Sequence, residues 1–437
     1  MRPIPAMFIR ITCSLLSVIL LNISVAFAQA DIATVLSRAA QDNNFFLVRQ
    51  LLPQAEKQLS RDQFLYYTAL AENKFDQCVN SNRHIEILLG GYQKQLSDSI
   101  VITLMNTQAD NYLRLYEYGN VAHTYHQLLQ LFGNKLDSTE QASYRNMLGL
   151  FEPLADVLPQ KMDLTHDELI PAYRNKFNHR MVPVKSRDTA IDFIFDSGAG
   201  LSTISESCAR QLGFQVLESK VRVGSGTSIH VESKLAVADS LWVGDILFHH
   251  VIFLVMPDEK LSFPAAGLVI RGIIGFPIIH QMGEVHLRKG GGIWIPKEPV
   301  TRGLNNLFLD GQVPVVSVYN GKDTLLLNFD TGAKTTELSD KFYTTHRSMV
   351  ESLGIKMKKR YGSAGGIAEA EIYELPQFRF QIGSQQAVLN KVPVHISAKT
   401  FTKKRDGNMG QDVMMQFDEM ILNFRYLYVD FIRKEAE

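Results

Sequence analysis

Ile191-Asp192-Phe193-Ile194-Phe195-Asp196-Ser197-Gly198-Ala199-Gly200 recurs in altered form as Leu325-Leu326-Leu327-Asn328-Phe329-Asp330-Thr331-Gly332-Ala333-Lys334. Each copy is an apolar, strand-like run that ends in Asp, then Ser or Thr, then Gly. The likeness extends outward on both sides. Val182-Pro183-Val184 precedes the first copy and Val313-Pro314-Val315 the second. A short helix candidate follows each, ending in Leu212-Gly213-Phe214 or Leu353-Gly354-Ile355. Next comes a glycine-rich hairpin tip, Val223-Gly224-Ser225-Gly226 or Tyr361-Gly362-Ser363-Ala364-Gly365-Gly366. Ile273-Ile274-Gly275 and Asn408-Met409-Gly410 close the series, Gly275 79 residues past Asp196 and Gly410 80 past Asp330. Beyond them Gln281, Glu284 and Leu287 stay in step with Gln416, Glu419 and Leu422. So many landmarks in one order imply two homologous β lobes, 169–298 and 299–437.

Other local signals agree with this β texture. Asn320-Gly321, between Val313–Val318 and Thr324–Leu327, predicts a hairpin, with Asn-Gly supplying the positive φ angles of a type I′ turn. Residues 31–168 differ. Glycine is sparse, and apolar residues such as Leu51, Leu52, Ala55 and Leu59, or Tyr112, Leu115 and Tyr116, recur at helical steps. Ala69–Phe75 and Leu115–Val121 are expected to turn helical hairpins. The pattern is similar to tetratricopeptide-type repeats, with a loose period. Two roles are open to this helical domain: a packing scaffold, or a module that binds a protein partner.

The 437 residues are 46% hydrophobic and 21% charged, which excludes a disordered or collagenous chain. Forty-five basic residues balance forty-five acidic ones, so no charge excess recruits nucleic acid. Residues 1–30 have the form of a secretory signal peptide. Arg2 and Arg10 precede an apolar run over Ile11–Val25, and Ala26-Phe27-Ala28 and Ala28-Gln29-Ala30 offer small residues for cleavage. An uncleaved anchor is the other reading, but the run falls short of the roughly 20 apolar residues a spanning helix needs. The mature protein is therefore expected to be exported, periplasmic or secreted. Cleavage would leave only Cys78 and Cys208, expected in different domains as buried free thiols or, if close enough, as a pair. His249-His250 is no metal pair, because neighbours on a strand face opposite sides. Gly224-Ser225-Gly226 lacks the third glycine and the helix of a dinucleotide loop.

Phe195-Asp196-Ser197-Gly198-Ala199 and Phe329-Asp330-Thr331-Gly332-Ala333 resemble the hydrophobic-Asp-Thr/Ser-Gly-Ala signature of the aspartic proteases. These form the pepsin and retropepsin superfamily, and the closest likeness is to the small bacterial enzymes of retropepsin type. The resemblance covers both β lobes and none of the helical front. It implies an α+β protein: a helical N-terminal domain followed by a two-lobed all-β aspartic-protease fold. Asp196 and Asp330 would be its catalytic dyad, and the protein an endopeptidase acting on peptide or protein substrates without metal or organic cofactor.

The chemistry fits that resemblance. Two carboxyls in contact cannot both ionise, so they share one proton, and one serves as base for water while the other acts as acid toward the scissile carbonyl. Gly198 and Gly332 let backbone amides approach the carboxylates. In the family the hydroxyls of Ser197 and Thr331 brace the two loops, and Gly275 and Gly410 pack beneath. The tips at Gly224, Ser225 and Gly226, and at Gly362, Ser363, Gly365 and Gly366, resemble substrate-covering flaps. Two positions depart from the family pattern, which usually has Ser, Thr or Asn two residues after the signature glycine. Here stand Gly200 and Lys334. Lys334 would either lower the apparent pKa of the dyad or carry its charge out to water. Two further readings stay open: an inactive peptide-binding descendant, and a partner-binding helical protein with the protease fold as scaffold.

Overall fold

The computed structural model describes residues 31–224, 230–264, 267–363, 366–397 and 404–433. Residues 1–30, expected to be a signal peptide, and the tip residues Ser225, Gly226 and Gly365 lie outside them. The layout is α+β, helices first.

Seven α-helices lead: α1 (Ile32–Gln41), α2 (Phe45–Ala55), α3 (Arg61–Lys74), α4 (Cys78–Ile87), α5 (Asp98–Arg114), α6 (Tyr118–Phe132) and α7 (Ser138–Phe151). Polar side chains cap their starts. Asn44 accepts from the Leu47 amide, Ser97 from Ile100, and Asp137 from Thr139 and Glu140. Three turns between helices share one device. Asn43, Asp76 and Tyr116 adopt φ of 58°, 59° and 61°. After each, the next amide bonds five residues back, as in Asn44 to Ala39, Gln77 to Glu72 and Glu117 to Tyr112. This is the left-handed helix stop that glycine usually supplies. With no glycine to mark it, the turn expected within Ala69–Phe75 falls one step later, at Phe75–Gln77. The turn expected at Leu115–Val121 falls within that stretch.

The strands begin ahead of residue 168. The leading run of helices ends at Leu154, and Lys161–Asp163 already pairs antiparallel with His249, Phe248 and Leu247 in a nine-stranded sheet. That sheet is built from residues 161–274, and an eight-stranded sheet is built from 307–409. The same weave occurs in both. Thr189–Phe195 runs parallel to Gly272–Ile274, which pairs antiparallel with Ser202–Ser205 on its other side. Thr324–Phe329 runs parallel to Gly407–Met409, which pairs antiparallel with Glu337–Leu338. The first run buries Ile191, Phe193, Ile194 and Phe195 and the second Leu325, Leu326, Leu327 and Phe329, on both faces, as their apolar composition requires.

A five-stranded sheet joins the two. Its centre pairs Glu284–Arg288 with Glu419–Asn423 antiparallel, His286 opposite Ile421. These are the strands whose Glu284 and Leu287 keep step with Glu419 and Leu422 in the sequence, so two equivalent segments pair with each other. The Asn320-Gly321 hairpin forms, but not with a type I′ turn. Its loop holds four residues between Tyr319 and Thr324. Gly321 alone takes positive φ there, and the Asn320 carboxamide accepts from the amides of Lys322 and Asp323.

One apolar core runs from α1–α3 through both large sheets. Phe45, Phe46 and Phe75 pack around Phe308. A second cluster joins α5–α7 to Val221, Leu235, Val237, Ile252 and Leu254 of the first sheet. Partly buried ion pairs pin the same joint. Asp76 receives His280 at 2.7 Å and Arg114 at 3.2 Å, while Asp310 lies between Lys74 and Arg405. Cys78 and Cys208 are both buried and free. His249 and His250 are both partly exposed rather than one in and one out, because His250 takes φ 54° and breaks the alternation. Among the described residues no helix is long and apolar enough to cross a membrane.

Candidate active site

The site is built from two loops that leave equivalent strands. The Asp196 amide donates to the Ile274 carbonyl and the Asp330 amide to Met409, each at 3.0 Å. Below them the Gly275 amide reaches the Ser202 hydroxyl at 3.1 Å, and the Gly410 amide the Thr336 hydroxyl at 3.0 Å. These bonds explain both glycines. A methyl carbon on Gly275 would lie 2.7 Å from the Ala199 carbonyl oxygen, and one on Gly410 2.7 Å from the Thr335 carbonyl carbon.

Ser197 and Thr331 lock the loops together. The Ser197 amide donates to the Thr331 hydroxyl at 2.9 Å, and the Thr331 amide to the Ser197 hydroxyl at 3.1 Å. Each hydroxyl then donates across the joint, Ser197 to the Phe329 carbonyl and Thr331 to Phe195. Both side chains are buried, so every polar atom of the exchange is satisfied.

This brace sets the two carboxyls side by side, close enough for Asp330 to act on Asp196. A methyl carbon on Gly198 would lie 2.6 Å from the Asp330 carboxyl carbon, and one on Gly332 2.3 Å from that of Asp196. Each glycine therefore sits under the opposite carboxyl. Asp330 Oδ1 accepts from the amides of Gly332 at 2.9 Å and Ala333 at 2.8 Å, and Asp196 Oδ1 from Gly198 at 2.8 Å. Burial, and then the Asp330 charge, push the Asp196 carboxyl up to about 8, against the pull of the Gly198 amide.

The pair is not symmetric. Asp330 Oδ2 accepts from the Asn408 carboxamide at 3.0 Å. The equivalent position in the first copy is Ile273, which has no donor. Sequence reasoning missed Asn408, although its signal was present: a polar residue in the otherwise apolar element before Gly410. Asp412 and Gln411 were missed as well. Asp412 accepts from the Thr336 hydroxyl and amide, and Gln411 donates to the Thr331 carbonyl at 2.8 Å. Lys334 stands exposed, and Gly200 faces Gln312.

The described parts of the tips are strand ends. Gly224 ends strand Gln215–Gly224, opposite His230. In the other hairpin Gly362 pairs with Ile367 and Ser363 with Gly366. The first hairpin is tied to the helices, since Asn146 of α7 donates to the Arg222 carbonyl at 3.0 Å and accepts from its amide at 3.3 Å. Among the described residues no cluster of His, Cys, Asp and Glu is arranged to hold a metal ion.

Residues 182–278 match the family model described as aspartyl protease. The matched span carries Asp196, Ser197, Gly198 and Gly275, and it supports a protease-like function. No curated protein matches the chain significantly.

Proposed function

We propose that the chain is an aspartic-type endopeptidase, exported by its N-terminal segment, with two homologous β lobes that each contribute one carboxyl. The single observation that carries this reading is the contact of Asp196 with Asp330 across the Ser197–Thr331 brace.

One proton serves the pair. Its place in this scheme is Asp196, whose pKa burial and the neighbouring Asp330 raise, while Asp330 accepts from three donors. Asp330 then takes a proton from water as the oxygen attacks the scissile carbonyl carbon, while Asp196 donates its proton to the carbonyl oxygen. The product is a neutral gem-diol, with Asp196 now ionised and Asp330 protonated. In the second step Asp330 gives its proton to the amide nitrogen, the C–N bond breaks, and Asp196 recovers a proton from the diol. Both carboxyls end as they began. The hairpins at Gly224–Gly226 and Gly362–Gly366 would lie over an extended peptide, bound through main-chain hydrogen bonds. Lys334, exposed, carries its charge to water, so the atypical position leaves the dyad intact. Asn408 supplies the donor that the missing hydroxyl would have given Asp330.

Hydrolysis of a peptide library in oxygen-18 water tests the scheme. Direct attack by water places one heavy oxygen in each new carboxyl terminus and leaves the intact mass of the protein unchanged throughout. A covalent acyl adduct, or no cleavage at all, would contradict it.

A further inference from the structure

A cavity of about 200 Å³ lies between the Thr331 loop and the five-stranded sheet, walled by Arg174, Arg180, Lys289, Leu287, Met414 and Met415. Its charge is unusual. Arg180 is only 5% exposed, and it donates to the carbonyls of Gly291 and Arg288. Arg174 donates to the Asn178 carbonyl at 2.8 Å and to the Gln411 carboxamide at 2.6 Å. All four acceptors are neutral. Among the described residues neither arginine forms an ion pair with a carboxylate, and Lys289 forms none either. The two other buried arginines differ. Arg114 meets Asp76 and Asp110, and Arg405 meets Asp310. A buried cation without a counter-charge is disfavoured, and a second cation beside it adds repulsion. Burial and the Arg174 charge lower the Arg180 pKa to about 10.

We infer that this cavity binds an organic carboxylate with a short apolar body. The guanidinium fork matches two carboxylate oxygens, and Leu287, Met414 and Met415 offer a wall for an aliphatic group. The volume admits one such acid and excludes a folded segment. The C-terminal residue of a peptide has this chemistry, and so does a free branched short-chain acid. Neither carboxyl lines the cavity, but Thr331 and Gln411 do; Arg174 holds Gln411, and Gln411 holds the Thr331 carbonyl. An occupant therefore sits against the support of the catalytic loop.

Calorimetric titration of the full chain with N-acetyl-leucine, N-acetyl-leucinamide, isocaproate and inorganic phosphate tests the inference without any peptide hydrolysis. The acids should bind at least about tenfold tighter than the amide, and Arg174→Gln should weaken them about tenfold or more. N-acetyl-leucine binding tighter than isocaproate supports the site with a peptide terminus as source. The reverse order supports it with a free acid as source. Arg180→Met should abolish binding; because it removes a buried side chain and can fail to fold, Arg174→Gln and Lys289→Ala carry the decision. Equal affinity for acid and amide, phosphate bound in place of both acids, or acid binding indifferent to Arg174→Gln would overturn the inference.

Discussion

Asn408 replaces an apolar residue in a buried strand, and its carboxamide is used. It gives Asp330 a third donor where the first copy gives Asp196 none. Hydrogen bonds to a charged group are worth about 1.5–3 kcal/mol, so Asn408→Leu should lower kcat/KM about 10- to 100-fold with the fold retained. Steady-state kinetics on one cleaved peptide, with thermal melting as control, checks this. Asp196 has a different signature. Its folded-state pKa is raised from 3.8 to about 8, so the folded chain binds the extra proton across that range. Stability from this group is fully present below 3.8 and is lost as pH rises through about 8. Thermal melting from acid to alkaline pH should show the parent losing stability over that window, while Asp196→Asn loses less. Asp196, Ser197, Gly198 and their second-copy partners were legible in sequence because the duplication isolates them. Asn408 left a signal, a polar residue in an otherwise apolar element, but Thr336 and Asp412 left none, since their bond forms only when the chain folds.

The Asp-bearing strands were just as legible. Their apolar runs end at the acidic turn, and burial on both faces follows from composition. Turn chemistry was harder to read. Asp76 and Tyr116 stop helices in a conformation that usually calls for glycine, and the Asn320 loop closes through its side chain instead of a two-residue turn. The two glycine-rich hairpins look alike in sequence, yet only contacts distinguish them. Strand Gln215–Gly224 is held by Asn146 of α7, and Val221 packs among α5–α7. Strand Ile355–Ser363 ends its sheet with Ile355 67% exposed. Hydrogen exchange should therefore be slower at Arg222 than in the outer strand Ile355–Ser363. Asn146→Ala should speed exchange at Arg222 several-fold and leave Ile355–Ser363 unchanged. Equal acceleration in both hairpins would contradict this asymmetry.

On the scale of the molecule, the apolar surface of the helical front is continuous with the β core. Asp310 is a main joint of that packing. Burial raises its pKa, but Lys74 and Arg405 outweigh burial and hold the carboxyl well below its usual range. Its contribution is present above the unfolded value of 3.8 and is lost as pH falls below it. Asp310→Asn removes the carboxylate that pairs with buried Arg405 and should cost about 3–5 kcal/mol in chemical denaturation. A cost under about 1 kcal/mol would mean the joint carries little of the docking. The sequence separated helical from β texture but held no sign of this joint, because Lys74, Asp310 and Arg405 meet only in the folded chain. The central claim is that the carboxyls of Asp196 and Asp330 hydrolyse peptide bonds as one unit. Digestion of a diverse peptide library by the parent chain, Asp196→Asn and Asp330→Asn tests it most directly. The account predicts cleavage by the parent and at least about a thousandfold loss in each variant. Cleavage at the parental rate by either variant, or none by the parent, would contradict it.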